Sequence, residues 1–331
     1  MLKIRKLSLL LPLVLLQACL GGGGGNGPAP ETENIPMHFG AYSDLEAVKY
    51  VVKKNDGSLH KIIVEYEADP DEVERVEFTS ADFREDSEGL VASRAELYAE
   101  EYDDPASPWG VLYDVTAHHE VHLLGSSLGL AYSDFGYYRD MTTARTGGGA
   151  TITTWDGVEP FFGGYDEKRI DLYALAQSGT IPDGNMSFSG KAAGNVIKFD
   201  PTKTEFGYID ALHLYGDARL DVTLSGGNLH ESLFARFSDS GWYDVTVSGQ
   251  RQASGSCGGG QCYDIAYGSQ SVVSGWSKAD LPLQDHDHAA FGALYYGDSN
   301  NAPTEVVGYA YDYQESGNMG SQLQFAFGAK R

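Results

Sequence analysis

The sequence predicts a mainly β protein, with a looser N-terminal β subdomain carrying a short helix, followed by an eight-stranded antiparallel β-barrel. Three observations carry that expectation. Glycine, tyrosine and phenylalanine are abundant, at 41, 21 and 14 residues, a composition suited to strands and tight turns. No stretch sustains a long apolar period of 3.6 residues. From Met186 onward, about eight short alternating segments recur between turn residues.

In chain order, residues 1–18 read as a secretory signal, 19–34 as a lipidated cysteine and tether, 35–185 as the first subdomain and 186–331 as the barrel. Lys3, Arg5 and Lys6 form a positive head. Leu7 to Leu16 follow as an apolar run of about ten residues, where a membrane-spanning helix needs roughly twenty. Leu16-Gln17-Ala18 places an aliphatic residue three positions before Cys19 and a small one directly before it, an arrangement that resembles the bacterial lipobox. Cleavage before Cys19 and lipidation of that cysteine are therefore expected; the alternative is an ordinary signal peptide with a chance cysteine. Each buried CH₂ of an acyl chain contributes about 0.8 kcal/mol, so several chains anchor firmly. Gly21 to Gly25 and Asn26-Gly27-Pro28-Ala29-Pro30 then form a flexible leash.

Within 35–185, the spacing of Leu90, Val91, Arg94, Leu97 and Tyr98 predicts a helix over 87–102, with Pro105 and Pro108 beyond it. A second, short helix is expected over 167–177. GGGA at 147–150, before the alternating TITTW, reads as a hairpin turn. In the barrel, RLDVTLSG sets Leu220, Val222 and Leu224 on one face, and SQLQFAFGAK does the same with Leu323, Phe325 and Phe327. WYDVTVSG, AAFGALYYG and EVVGYAYDY repeat the pattern, with turns at Gly226-Gly227-Asn228 and Asp298-Ser299-Asn300. Eight such strands suit a small up-and-down barrel with a filled interior, and closure removes sheet edges.

A net charge of −24 argues against a nucleic-acid partner and against lying flat on anionic lipid. It suits steering toward a basic partner surface. With Cys19 assigned to lipid, Cys257 and Cys262 remain, in SCGGGQC. A pair across a short glycine-containing turn in an exported chain reads as a local disulfide; a metal or redox pair would need neighbouring histidine or cysteine. No nucleophile elbow, phosphate loop, dinucleotide fingerprint or EF-hand occurs, so no catalytic residue, no metal and no resident cofactor are expected.

Two histidine-rich stretches stand out. AHHEVH holds His118, His119, Glu120 and His122, but its spacing fails the zinc-protease pattern. As a strand it puts His118, Glu120 and His122 on one face and His119 with Val121 on the other. That face is either an ordinary polar one or a source of haem or metal ligands, with His118 and His122 the candidates. DHDH carries His286 and His288 and reads as a loop ending. For protein contact, Trp276, Leu281 and Leu283 lie in a stretch without clean alternation, and Trp155 precedes Asp156-Gly157. They are either interface anchors or caps on the two subdomains. Tyr137 and Tyr138 are expected to pack inside the first subdomain.

CLGGGGG after the lipobox, AYSDFGYYRD at 131–140, FFGGYDEKR at 161–169, FGALYYGDSNNAPTEVVG at 291–308 and the terminal FGAKR resemble the transferrin-binding-protein-B-like surface lipoproteins. The resemblance implies a single lobe, made of a handle subdomain and an eight-stranded barrel, displayed on the outer membrane of a Gram-negative bacterium through a palmitate-type anchor. A one-lobe chain with a glycine tether looks most like the lipoprotein components of haemoglobin–haptoglobin utilisation receptors. Those capture haemoglobin or haemoglobin–haptoglobin and work with a TonB-dependent outer-membrane haem transporter, haem arriving only as part of haemoglobin. One-lobe relatives that bind a complement regulator, haemophilin-like haem binders, and a transferrin-binding role are the alternatives the resemblance leaves open.

Overall fold

Among the described residues, alternation along the chain becomes two antiparallel sheets of nine strands each. The computed structural model describes residues 32–39, 48–54, 58–69, 72–103, 110–200, 207–237, 245–253, 272–274, 290–298, 302–316 and 319–331. Cys19, Cys257, Cys262, Trp276, Leu281, Leu283, His286 and His288 lie outside the described residues.

The handle sheet is built from β1 (Thr32–Phe39), β2 (Val48–Lys54), β3 (Leu59–Asp69), β4 (Glu72–Thr79), β5 (Phe83–Glu85), β6 (Leu90–Asp103), β7 (Val111–Leu123), β8 (Ser133–Thr146) and β9 (Thr151–Gly164). A one-turn helix, α1 (Gly125–Leu128), joins β7 to β8. The order β4-β3-β2-β1-β9-β8-β7-β6-β5 places β1 in the middle, antiparallel to both β2 and β9. The sheet curls until β4 meets β6. There the Arg94 guanidinium donates to the Glu77 carbonyl at 3.2 Å and Ser93 N–H donates to the Asp82 carbonyl at 3.1 Å. Inside the curl lie Val51, Ile62, Val64, Phe78, Ala92, Val121 and Phe161, all fully buried. Each large aliphatic or aromatic chain so buried contributes roughly 1.5–3 kcal/mol. Gly147 to Gly149 turn the β8–β9 hairpin as expected.

Residues 87–102 form no helix. They run as strand β6, which pairs with β7 from Leu90↔Leu123 to Asp103↔Val111. The helical spacing offered no stripe to bury, since Leu97 is 59 % exposed, and strand pairing overrides a weak local preference.

The second sheet begins after a 3-10 turn (Asp166–Lys168) with β10 (Arg169–Ile170) and a short helix α2 (Leu172–Gln177). Only 172–177 of the expected 167–177 is α-helical. It continues through β11 (Gly184–Asp200), β12 (Gly207–Ser225), β13 (Asn228–Phe237), β14 (Val245–Ala253), β15 (Val272–Ser274), β16 (Ala290–Tyr296), β17 (Glu305–Ser316) and β18 (Met319–Lys330). The eight strands β11–β18 run up and down, and β18 returns to pair with β11 over ten registered residue pairs. β14 approaches β16 on the far side of the curl. Leu220, Val222, Leu224, Leu323, Phe325 and Phe327 point inward and are buried, as the alternation requires. They pack with Phe188, Leu214 and Phe237 into a filled interior. α2 lies against β13 and adds Leu172 and Ala176, with Asp171 capping its first turn through the Ala174 N–H at 2.9 Å.

Candidate functional site

β7 and β8 set the handle's most chemically loaded face against the outer wall of the barrel. The strand reading of AHHEVH holds. His118, Glu120 and His122 share one face, opposite Met141, Arg139 and Tyr137 of β8, while His119 and Val121 point into the handle. Strand rise separates His118 from His122 by about 13 Å, so they converge on no single metal. His118 Nε2 is instead 2.8 Å from Thr143 Oγ1, and His119 Nδ1 is 2.7 Å from the Tyr138 hydroxyl. Among the described residues, no group of three or more His, Cys, Asp or Glu side chains forms a metal-holding cluster.

His122 belongs to a different arrangement. Its ring stacks on Tyr137 at 4.2 Å between centroids and 15° between planes. His213, from barrel strand β12, also meets Tyr137, at 4.5 Å and 50°. Tyr137 is 2 % exposed, and burial pushes its hydroxyl pKa well up, so it stays protonated. Glu88 approaches His213 Nε2 at 3.9 Å. Glu120 sits between Arg84, at 2.7 Å, and Arg139, with the His122 ring edge 3.4 Å away. The His122 contact and Arg139 hold the Glu120 carboxyl at about 2, against an opposing push from burial. At neutral pH the ionised Glu120 carboxylate braces Arg84 and Arg139.

The second half of the junction is a carboxylate latch. Glu305, 5 % exposed at the start of β17, accepts three hydrogen bonds from the handle. Ala131 N–H reaches Oε1 at 2.5 Å, while Tyr132 N–H and the Ser133 hydroxyl reach Oε2 at 3.0 and 2.9 Å. Lys168 bonds Asp298 at 3.1 Å and lies over the Tyr132 ring. Between these polar contacts, Phe135, Tyr137 and Phe162 of the handle pack with Ala193, Leu294, Tyr296, Val307 and Ala326 of the barrel wall. Gly328 makes the close approach possible, since a Cβ there would lie 2.2 Å from the Phe135 ring.

Of the sequence candidates, Trp155 lies in β9 opposite Met141, and Tyr138 packs in the handle core while Tyr137 packs at the junction. Arg84, Arg139, His213 and Glu305 were not among the candidates. Each acts across a long stretch of chain, and no local spacing marks them.

No protein-family model and no curated protein matches this chain. A search of solved structures finds similarity to the crystal structure of a tryptophan-to-alanine mutant of transferrin binding protein B, a vaccine antigen from Haemophilus parasuis Hp5. The identity is 12 % and the TM-score 0.30, covering 86 % of this chain and 54 % of that one. This chain therefore spans about half the length of that protein.

Proposed function

We propose that this chain is a lipid-anchored surface protein that captures haemoglobin or haemoglobin–haptoglobin and presents it to a TonB-dependent outer-membrane transporter for haem iron acquisition. No bond is made or broken. Capture and handover are the whole mechanism, and haem enters only inside its carrier. The observation that carries the reading is the filled barrel. Phe188, Phe237, Phe325 and Phe327 occupy its interior with no exposure above 1 %, so a partner is met on the outside of a rigid lobe. The latch and the aromatic stack support rigidity, and a preorganised scaffold loses less freedom on binding. The lipobox at Cys19, the glycine leash and the resemblance of the quoted motifs support surface display beside a transporter, where a short leash raises effective concentration.

The test is saturable binding of the full chain, side by side, to haemoglobin, haemoglobin–haptoglobin, haemin, apo- and holo-transferrin and factor H at physiological salt. Haemoglobin binding with transferrin and factor H silent is expected, and Trp276→Ala should weaken it. Binding to transferrin or factor H alone moves the protein to a different capture role. A Soret shift with haemin alone makes it a haem binder. Silence toward every haem species overturns the reading.

A further inference from the structure

We infer that Asn185 is a glycosylation site, carrying a sugar on its side-chain nitrogen. The inference goes beyond capture and needs only the export expected from residues 1–18. Asn185-Met186-Ser187 is an Asn-x-Ser triplet with no proline at its centre, the acceptor pattern for N-linked glycans. No other asparagine in the chain is followed two positions later by serine or threonine. Asp183 adds a carboxylate two positions before the acceptor, so the full stretch reads Asp-x-Asn-x-Ser.

The fold places this triplet where a glycan fits. Asn185 is the second residue of β11, at the end of the barrel reached from α2. Strand alternation buries Met186 and Phe188 in the barrel and turns Asn185 and Ser187 outward. Residues 182–185 and Ser187 are exposed. A Cβ added at Gly184, beside the acceptor, would meet nothing within 4 Å. The same holds at Gly226, in the adjoining turn between β12 and β13, whose N–H donates to Asp183 at 3.0 Å. The Asn185 carbonyl oxygen accepts from the Thr223 hydroxyl at 2.9 Å, while no hydrogen bond among the described residues engages its amide nitrogen. The atom that would carry the sugar is thus the free end of the side chain. Ala193, at the handle junction, lies eight positions further along β11, about 27 Å at strand rise, so a glycan on Asn185 clears that junction.

The chemistry needs an activated sugar and a transferase. The donor is a glycosyl diphosphate, held on a lipid or on a nucleotide. Asn185 Nδ2 attacks C1 of the sugar and the Nδ2–C1 bond forms. The C1–O bond breaks, its electron pair leaves with the diphosphate, and the Nδ2 proton passes to a base of the transferase. Nothing is oxidised or reduced. An amide nitrogen is a weak nucleophile because its lone pair is delocalised into the carbonyl. The transferase therefore has to grip the acceptor, and the hydroxyl two positions on is its handle. In the folded chain the Ser187 hydroxyl donates to Asp221 at 2.6 Å, so transfer precedes the pairing of β11 with β12.

The test is mass spectrometry of the full chain isolated from the cells that make it, with fragmentation that leaves glycosidic bonds whole. A sugar mass on Asn185 is expected. Asn185→Gln and Ser187→Ala should each remove it completely, and Ser187→Thr, which keeps the hydroxyl, should retain it. Ser189→Ala, on the same exposed face but outside the triplet, should leave it unchanged. Thermal melts that match the parent show that the loss is not misfolding. The full chain diluted from urea into extracts of the same cells identifies the donor: label from a sugar nucleotide without membranes assigns the nucleotide carrier, and label only with membranes assigns the lipid carrier. An unmodified Asn185 in the native chain, a sugar that survives Ser187→Ala, or a sugar found only on serine or threonine overturns the inference.

Discussion

Glu305→Ala is the sharpest perturbation of the junction. The carboxylate accepts from two backbone amides and one hydroxyl, all from residues 131–133, at 2.5 to 3.0 Å. Hydrogen bonds to a charged acceptor contribute about 1.5–3 kcal/mol each, and a buried donor left unsatisfied costs about 1–3 kcal/mol. The three bonds share one acceptor and partial relaxation toward water recovers some of the loss, so simple addition overshoots. A cost of about 3–4 kcal/mol is expected. Glu305→Gln keeps one acceptor oxygen but turns an amide N–H₂ toward the remaining donors, and should cost about 2 kcal/mol. Urea unfolding of the two variants and the parent measures this, with Glu167→Ala as an exposed control expected within about 0.5 kcal/mol of the parent. Native-state hydrogen exchange gives a local readout: the amides of Ala131 and Tyr132 should exchange much faster in the alanine variant, while those inside β12 and β13 should not change. A Glu305→Ala chain as stable as the control, with unchanged exchange at 131 and 132, refutes the latch.

Three further outcomes follow from the same geometry. Gly328→Val pushes a side chain into the Phe135 ring and should cost about 1–3 kcal/mol or more, and adding Phe135→Ala should recover part of that loss; a purely additive pair in thermal melts contradicts the close approach. The Glu120 carboxyl is held at about 2 against an ordinary 4.5, so its contribution is full above that ordinary value and is lost as pH falls through about 2. Urea midpoints should drop along that acid limb and Glu120→Gln should flatten it, whereas parallel curves for parent and variant remove the brace. Phe325→Ala empties part of the barrel interior, where the ring meets Phe237 edge-on at 5.1 Å, and should cost about 3–5 kcal/mol by denaturant melt; a loss under about 1 kcal/mol means the interior is not packed.

Legibility differed between the two sheets for a physical reason. Barrel strands away from the junction, such as β13, alternate cleanly because one face meets a filled interior and the other meets water. β6 carries no such contrast. Only Val91 and Ala92 are buried along it, so the sequence offered a false helical spacing in place of a true alternation. The histidine face was legible as a face but not as a brace. His122 takes its role from Tyr137 and His213, and His213 is brought from the other subdomain. Glu305 reads in the sequence as one carboxylate among 47 acidic residues, and only the fold brings it to partners more than 170 positions away.

The quoted motifs gain a common explanation from where they meet. AYSDFGYYRD supplies the donors for Glu305, the Phe135 ring and Tyr137. FFGGYDEKR supplies Phe162, which stacks on Tyr309 at 5.2 Å, Gly164, where a Cβ would strike Tyr296, and Lys168. FGALYYGDSNNAPTEVVG brings Tyr296, Asp298 and Glu305 itself, and FGAKR brings Gly328. Four patches scattered over two hundred positions thus converge on one interface, between the handle and the barrel. Each is demanding for a steric or hydrogen-bonding reason: a glycine where a ring approaches, a carboxylate where amides converge, a lysine over a tyrosine face. Such constraints act on how the two sheets are assembled. The loops lie outside those constraints, so a substitution there leaves the junction undisturbed. The resemblance carried by these motifs is therefore a statement about architecture.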